Sequence, residues 1–288
     1  MAVENHQQDL NDVVASLDLE VLDRNLYRGF SPSWEISRLF GGLVAAQSLA
    51  AAYLTIDDIH VHSLHSYFLR PGDANTPVIF DVDRIRDGRS FATRRVVARQ
   101  KGEAIFNLSA SFHKEEDGFD HQATMPDLGG PEDFPSAEDH GFTEADYMPR
   151  HWDGPVVPIQ VRSHIPPGGG LPDGKYTSAI WVRANGELPD DEVLHRCVLL
   201  YMSDLALLGT SIRAHAKGFE KIMAASLDHS MWFHRPIRAD QWLLYSLNSP
   251  SASGARGFNL GHYFTEDGVL LASAAQEGLI RPFDPSKA

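Results

Sequence analysis

The 288-residue chain has a single cysteine, Cys197, which excludes a disulfide framework and any thiolate metal cluster. Cys197 lies in an apolar run and reads as a packed core thiol. No apolar stretch reads as long enough to span a bilayer. The first dozen residues are polar and acidic, without the basic-then-apolar order of a secretory signal. The last four, Pro285-Ser286-Lys287-Ala288, differ from the peroxisomal Ser-Lys-Leu signal, so the expected location is the cytoplasm. Basic residues are few, 25 Lys and Arg against 39 Asp and Glu for a net charge of −14. That balance argues against a nucleic-acid partner, because phosphate binding needs a surplus of positive charge on one face. An anionic ligand would have to find a local basic patch.

Stereotyped catalytic signatures are also missing. The chain has no Gly-x-Ser-x-Gly elbow, no Gly-rich phosphate loop ending in Lys-Ser or Lys-Thr, no His-Glu-x-x-His and no dinucleotide fingerprint. Its 14 histidines lack carboxylate or cysteine partners at ligand spacing, so neither a metal nor another cofactor is expected. Any chemistry must come from a less regular set of polar groups in an otherwise ordinary globular composition, 43% hydrophobic and 22% charged.

What the chain does have is an internal repeat. His65-Ser66-Tyr67-Phe68-Leu69-Arg70-Pro71 returns, one residue longer, as His229-Ser230-Met231-Trp232-Phe233-His234-Arg235-Pro236. The segments that follow also match, at an offset of roughly 166 residues, which implies two units built alike. In the first, strands are predicted at 19–30, 60–70, 77–87, 90–100 and 103–113, with a helix at 38–54 that is apolar almost all round and therefore buried on most sides. Four strands joined by tight turns make an antiparallel meander around that helix. The second unit repeats the plan: strands at 156–161 and 177–184, a helix at 190–208 with acidic residues in its first turn, then strands at 224–233, 242–248, 256–264 and 269–280. Residues 1–114 form the first unit, 115–155 a linker that covers a surface, and 156–288 the second. The two sheets are expected to pair edge to edge, hiding two strand edges.

Three polar residues interrupt apolar runs. Asp204 stands in Leu199-Leu200-Tyr201-Met202-Ser203-Asp204-Leu205-Ala206-Leu207, where an unpartnered carboxylate would cost several kcal/mol or stay protonated. Such a group is retained for catalysis or because structural partners satisfy it, and burial does not choose between the two. Ser226 opens the repeated strand. Gln276 is the long polar side chain of a small-residue stretch, and its register position in the first copy falls near Ala110, within Leu108-Ser109-Ala110-Ser111.

The run Ser226-Leu227-Asp228-His229-Ser230-Met231-Trp232-Phe233-His234-Arg235-Pro236, the turn Asp267-Gly268-Val269-Leu270 with Gln276-Glu277-Gly278, and His65 through Asp73 together resemble the TesB-like acyl-CoA thioesterase II family. The likeness runs from about Leu19 to Arg281. It implies an α+β double hotdog, two long central helices wrapped by one continuous antiparallel sheet, acting on an acyl-CoA substrate in a homo-oligomer. It also implies a catalytic group of an Asp, a Thr or Ser, and a Gln, which by motif fall on Asp204, Ser226 and Gln276. Ser stands where some members carry Thr; either hydroxyl donates and accepts one hydrogen bond. The implied reaction is hydrolysis of a fatty acyl-CoA by water that Asp204 deprotonates. Candidate oxyanion donors are backbone N–H groups near a helix start and the Gln276 amide.

Two other features are weighed. His65 and His229 read as hydrogen-bonding the strands they open rather than as catalytic groups. The basic stretch Arg84, Arg86, Arg89, Arg94, Arg95, Arg99 and Lys101 is either a CoA-phosphate site or a solvated hairpin face. A hotdog hydratase or dehydratase, and a non-catalytic acyl-CoA sensor, are the alternative readings.

Overall fold

In the computed structural model, residues 6–149, 152–153, 155–172, 175–215 and 222–282 are described. The chain opens with a helix that the polar composition of its start concealed, α1 (His6–Ser16). Leu10 and Val13, three apart on one face, are fully buried. Asp9 accepts the Val157 N–H at 2.9 Å and so ties this helix to the second half.

The predicted first strand is a two-stranded ribbon, β1 (Glu20–Asp23) and β2 (Leu26–Gly29). Asn25 turns the chain between them at φ 62°, a conformation Asn tolerates better than most residues. Then come α2 (Gly41–Tyr53), β3 (His60–Phe68), β4 (Val78–Asp87), β5 (Phe91–Gln100) and β6 (Glu103–His113), close to their expected places. Nearly all of α2 is buried. The amide nitrogen of its one long polar side chain, Gln47, donates to the carbonyls of Ser16 and Phe30 at 2.8 and 2.9 Å. No side chain of Phe40 caps the helix; instead Glu35 accepts the Phe40 N–H at 2.6 Å.

The acidic segment after β6 forms three short 3-10 turns and lies against the second half. Gln122 bridges Gly268 and Leu270, and Arg162 pairs with Glu132.

The second half contributes β7 (Ile159–Ser163), β8 (Thr177–Ala184), α3 (Glu192–Ser203), α4 (Leu207–Arg213), β9 (Ile222–Ser226), β10 (Asp228–Phe233), β11 (Leu243–Ser253), β12 (Arg256–Thr265) and β13 (Leu270–Pro282). Two elements depart from expectation. The single helix at 190–208 is broken at residues 204–206. There the Ser203 carbonyl is taken by the Tyr245 hydroxyl at 3.2 Å, and the Ser203 hydroxyl bonds back to Leu200, a contact that bends helices. The strand at 224–233 is two, because its register against β13 shifts by one residue between Ser226 and Ser230. Asp228 fills the gap by accepting the Glu277 N–H at 2.8 Å. Such bulges re-aim side chains.

All pairings are antiparallel, in one 13-stranded sheet ordered β1-β2-β4-β5-β6-β3-β10-β13-β12-β11-β8-β7, with β9 also on β13. The two meanders meet edge to edge at β3 and β10, where His65 faces Ser230 and Ser66 faces His229. Helices α2 and α3 pack against each other inside the sheet, with the rings of Phe40 and Tyr201 5.1 Å apart. The segment Glu192–Arg213 has the length and hydropathy of a membrane span. Its place under the sheet and its carboxylate mark it as a core helix.

Candidate active site

The break after α3 puts Asp204 at the helix C-cap and turns its carboxylate toward the start of α2. Oδ1 accepts from Gln276 Nε2 at 2.6 Å and from Ser226 Oγ at 3.4 Å. Oδ2 faces Gly41 so closely that a Cβ there would come within 2.5 Å. The three residues singled out in the sequence are therefore one cluster, built from the α3 break, the end of β9 and the middle of β13.

Burial pushes the Asp204 carboxyl from its usual 3.8 up to about 6, against the opposing pull of Gln276, the Gly42 N–H, Ser226 and the Arg38 charge. Above pH 6 it is a carboxylate, basic enough to take a proton.

His229, expected to hydrogen-bond the strand it opens, bonds through its ring to α3 and β13 instead. Its ring is fully buried, with Nε2 2.8 Å from Ser203 Oγ and Nδ1 3.2 Å from Gln276 Nε2. Burial alone pushes it down to about 4, so the ring is neutral. His65 is exposed on the opposite face of the sheet, 3.1 Å from Ser230 Oγ.

The matched histidines are therefore not structural equivalents. The N–H groups of Leu69 and Arg70 bond to Ile105, as those of His234 and Arg235 bond to Leu271. By that correspondence His229 matches Leu64 and Gln276 matches Ala110, and Leu64 and Ala110 are themselves paired across β3 and β6. A slip of one residue exchanges the two faces of a strand. The extra residue in the second copy carried that information.

Two cavities meet at Asp204, and both are also lined by Phe40, Leu208, Ala224 and Ser226. One, of about 380 Å³, is walled by Met148, Val161, Ile180, Leu205 and Ile212. The other, of about 400 Å³, carries Arg38 and Arg70 at its rim with Phe68, Ile105 and Phe106. Tyr147, Met148 and Pro149 belong to the segment expected only to cover a surface; it also walls the first cavity.

The basic hairpin stretch lies elsewhere. Buried Arg94 is spent on Thr55 and Asp87, Arg95 and Lys101 pair with Asp83 and Asp73, and none of that stretch lines either cavity. The cations that line the cavities are Arg38 and Arg70 in the second and Arg213 in the first; of these only Arg70 lies in the repeated motif, and none was singled out as a candidate.

If Asp204 acts as the base, activity should fall about tenfold per pH unit below pH 6 as its carboxylate is protonated. A pH profile of kcat/KM checks this. Glu35, pushed by burial to about 7, is the other group nearby that titrates in this range. Glu35→Gln keeps an acceptor for the Phe40 N–H and should leave the acid limb in place.

Comparison with known proteins bears on the family and the fold. Two family profiles match, one described as acyl-CoA thioesterase N-terminal domain over residues 30–113 and one as acyl-CoA thioesterase over residues 168–279. Mouse acyl-coenzyme A thioesterase 8 is 41% identical over 95% of this chain and 90% of its own length. The crystal structure of an acyl-CoA thioesterase II from Mycobacterium marinum is 44% identical, covers 97% of this chain and 100% of its own, and superposes with a TM-score of 0.79. A hot dog fold protein from Alicyclobacillus acidocaldarius, 20% identical, shares the fold over 96% of this chain and 98% of its own at a TM-score of 0.78. With its double hotdog and paired helices, the chain belongs to the acyl-CoA thioesterase family.

Proposed function

We propose that Asp204, Ser226 and Gln276 activate the water with which this enzyme hydrolyses fatty acyl-CoA. The observation that carries this reading is a desolvated, basic carboxylate, bonded to both partners, where two cavities join. With Oδ1 engaged, Oδ2 takes the proton as the water oxygen attacks the thioester carbonyl carbon. Collapse of the tetrahedral intermediate breaks the C–S bond, and the same proton passes from Asp204 to the departing thiolate, giving free acid and CoA.

The developing oxyanion needs a donor. Both N–H bonds of Gln276 are spent, on Asp204 and His229, which disfavours its amide. At the start of α2, Leu43 and Val44 bond to Phe40, and Gly42 stabilises Asp204. The Gly41 N–H, in the first turn of α2 at the positive end of the helix dipole, is the better candidate.

The acyl chain occupies the more apolar cavity, and the CoA arm leaves past Arg38 and Arg70. In this scheme residues 1–114 and 156–288 act as two hotdog units joined by 115–155, in a cytoplasmic homo-oligomer.

Turnover in 18O-labelled water tests the role of Asp204. General-base hydrolysis puts label in the fatty acid and none in the Asp204 peptide. Label in Asp204 would mean a covalent acyl-aspartate instead. Tight retention of acyl-CoA without thiol release would favour the sensor reading.

A further inference from the structure

The hydrogen-bond chain behind Gln276 assigns every proton in it. Ser203 Oγ has one hydrogen, which it donates to the Leu200 carbonyl at 2.8 Å. The 2.8 Å contact with His229 Nε2 must then be a bond in which the ring N–H donates. A neutral ring protonated at Nε2 has a bare Nδ1, which accepts from Gln276 Nε2 at 3.2 Å. The other hydrogen on that nitrogen goes to Asp204 Oδ1. The carboxamide is thus held in one of its two orientations. Its oxygen, Oε1, is buried and bonded to nothing among the described residues. An unpaired acceptor of that kind costs about 1–3 kcal/mol, which a donor arriving with the reaction would recover.

We propose that His229 is a positioning residue: held by Ser203, it locks the Gln276 amide so that Oε1 accepts the second hydrogen of the attacking water. The inference rests on the proposed site at Asp204 and extends it. Without the lock the amide can turn over. It then presents its NH2 group to the water, and its oxygen meets the Asp204 carboxylate. The first half of the chain has Leu64 and Ala110 at the corresponding positions, so this chain is confined to the half that carries the carboxylate.

Two isosteres separate the two ring nitrogens. In His229→Asn the side-chain oxygen falls near Nδ1 and can still accept from Gln276. In His229→Gln the amide nitrogen falls near Nε2 and can still donate to Ser203, but nothing replaces Nδ1. The expected result is a kcat within about tenfold of the parent for His229→Asn. For His229→Gln the expected result is a loss of about 100-fold at nearly constant KM, the scale of a misplaced reacting group.

A double-mutant cycle completes the test. Adding His229→Gln to Gln276→Ala should cost nothing further, because His229 acts only through Gln276. Equal losses in the Asn and Gln variants, or additive losses in the cycle, would overturn the proposal. If Gln276→Ala or Asp204→Asn alone retained parental kcat, the site assignment itself would fail. Thermal unfolding of each variant identifies any loss that comes from misfolding.

Discussion

Asp204→Asn should lower kcat by about 10³-fold or more, the upper range for removing a general base, and at the same time raise the melting temperature at pH 7. The two effects share a cause. Burial lifts the carboxyl from 3.8 to about 6. Between those values the folded protein holds a proton that the unfolded chain has released. Stability therefore falls as pH rises through that window, and above pH 6 the full cost is present, about 3 kcal/mol at 1.36 kcal/mol per pH unit. Asparagine has no charge to desolvate, but its NH2 cannot accept one of the bonds now made to the carboxylate, a loss of about 1 kcal/mol. The net gain at pH 7 is about 2 kcal/mol, and it shrinks toward pH 4, where Asp204 is protonated as well. Thiol-release assays and melting curves at the two pH values check both halves of this expectation. An inactive variant that melts lower at pH 7 would show that the carboxylate is a structural tie instead of a strained reactive group.

The two glycines that open α2 should fail differently when given a methyl group. At Gly42 a Cβ would lie 2.3 Å from the Tyr201 carbonyl oxygen and 2.6 Å from the Phe40 ring. A backbone atom on α3 cannot yield without moving the helix, so the helices must separate at a cost of about 3 kcal/mol or more. The helix propensity gained on replacing glycine offsets only about 1 kcal/mol of that. At Gly41 the nearest atom is Asp204 Oδ2, at 2.5 Å, the end of a side chain that can rotate away. Gly42→Ala should therefore lower the melting temperature by several degrees. Gly41→Ala should melt nearer the parent but lose kcat about 100-fold, because a displaced carboxylate misplaces its water. Circular dichroism melts beside kcat measurements separate the two outcomes.

Much of this frame was legible in the sequence because it rests on period and turn chemistry. The strands from β3 to β6 alternate, and glycine turns bound them. The all-round apolarity of α2 gave away its burial, and the polar interruptions at Asp204, Ser226 and Gln276 marked the cluster. What stayed hidden depends on contacts between distant residues. The break after Ser203 needs the Tyr245 hydroxyl, 42 positions on. The bulge at Leu227 shows only against β13. The inward face of His229 depends on a one-residue insertion that a motif match absorbs silently. Arg38, Arg70 and Arg213 reach the cavities only because the chain folds them there, while in the denser basic run Arg94, Arg95 and Lys101 pair with Asp87, Asp83 and Asp73.

The seam between β3 and β10 sets the stoichiometry of the molecule. The side chains proposed to react all come from the later half, yet the Asp204 carboxylate faces the opening turn of a helix supplied by the earlier one. Neither fragment alone contains a complete reaction chamber, and the halves cannot be counted as two enzymes of half strength. On the proposed site each 288-residue chain carries one turnover centre, and cutting it in the acidic segment before β7 should abolish turnover unless the severed pieces zip together again along those two strands.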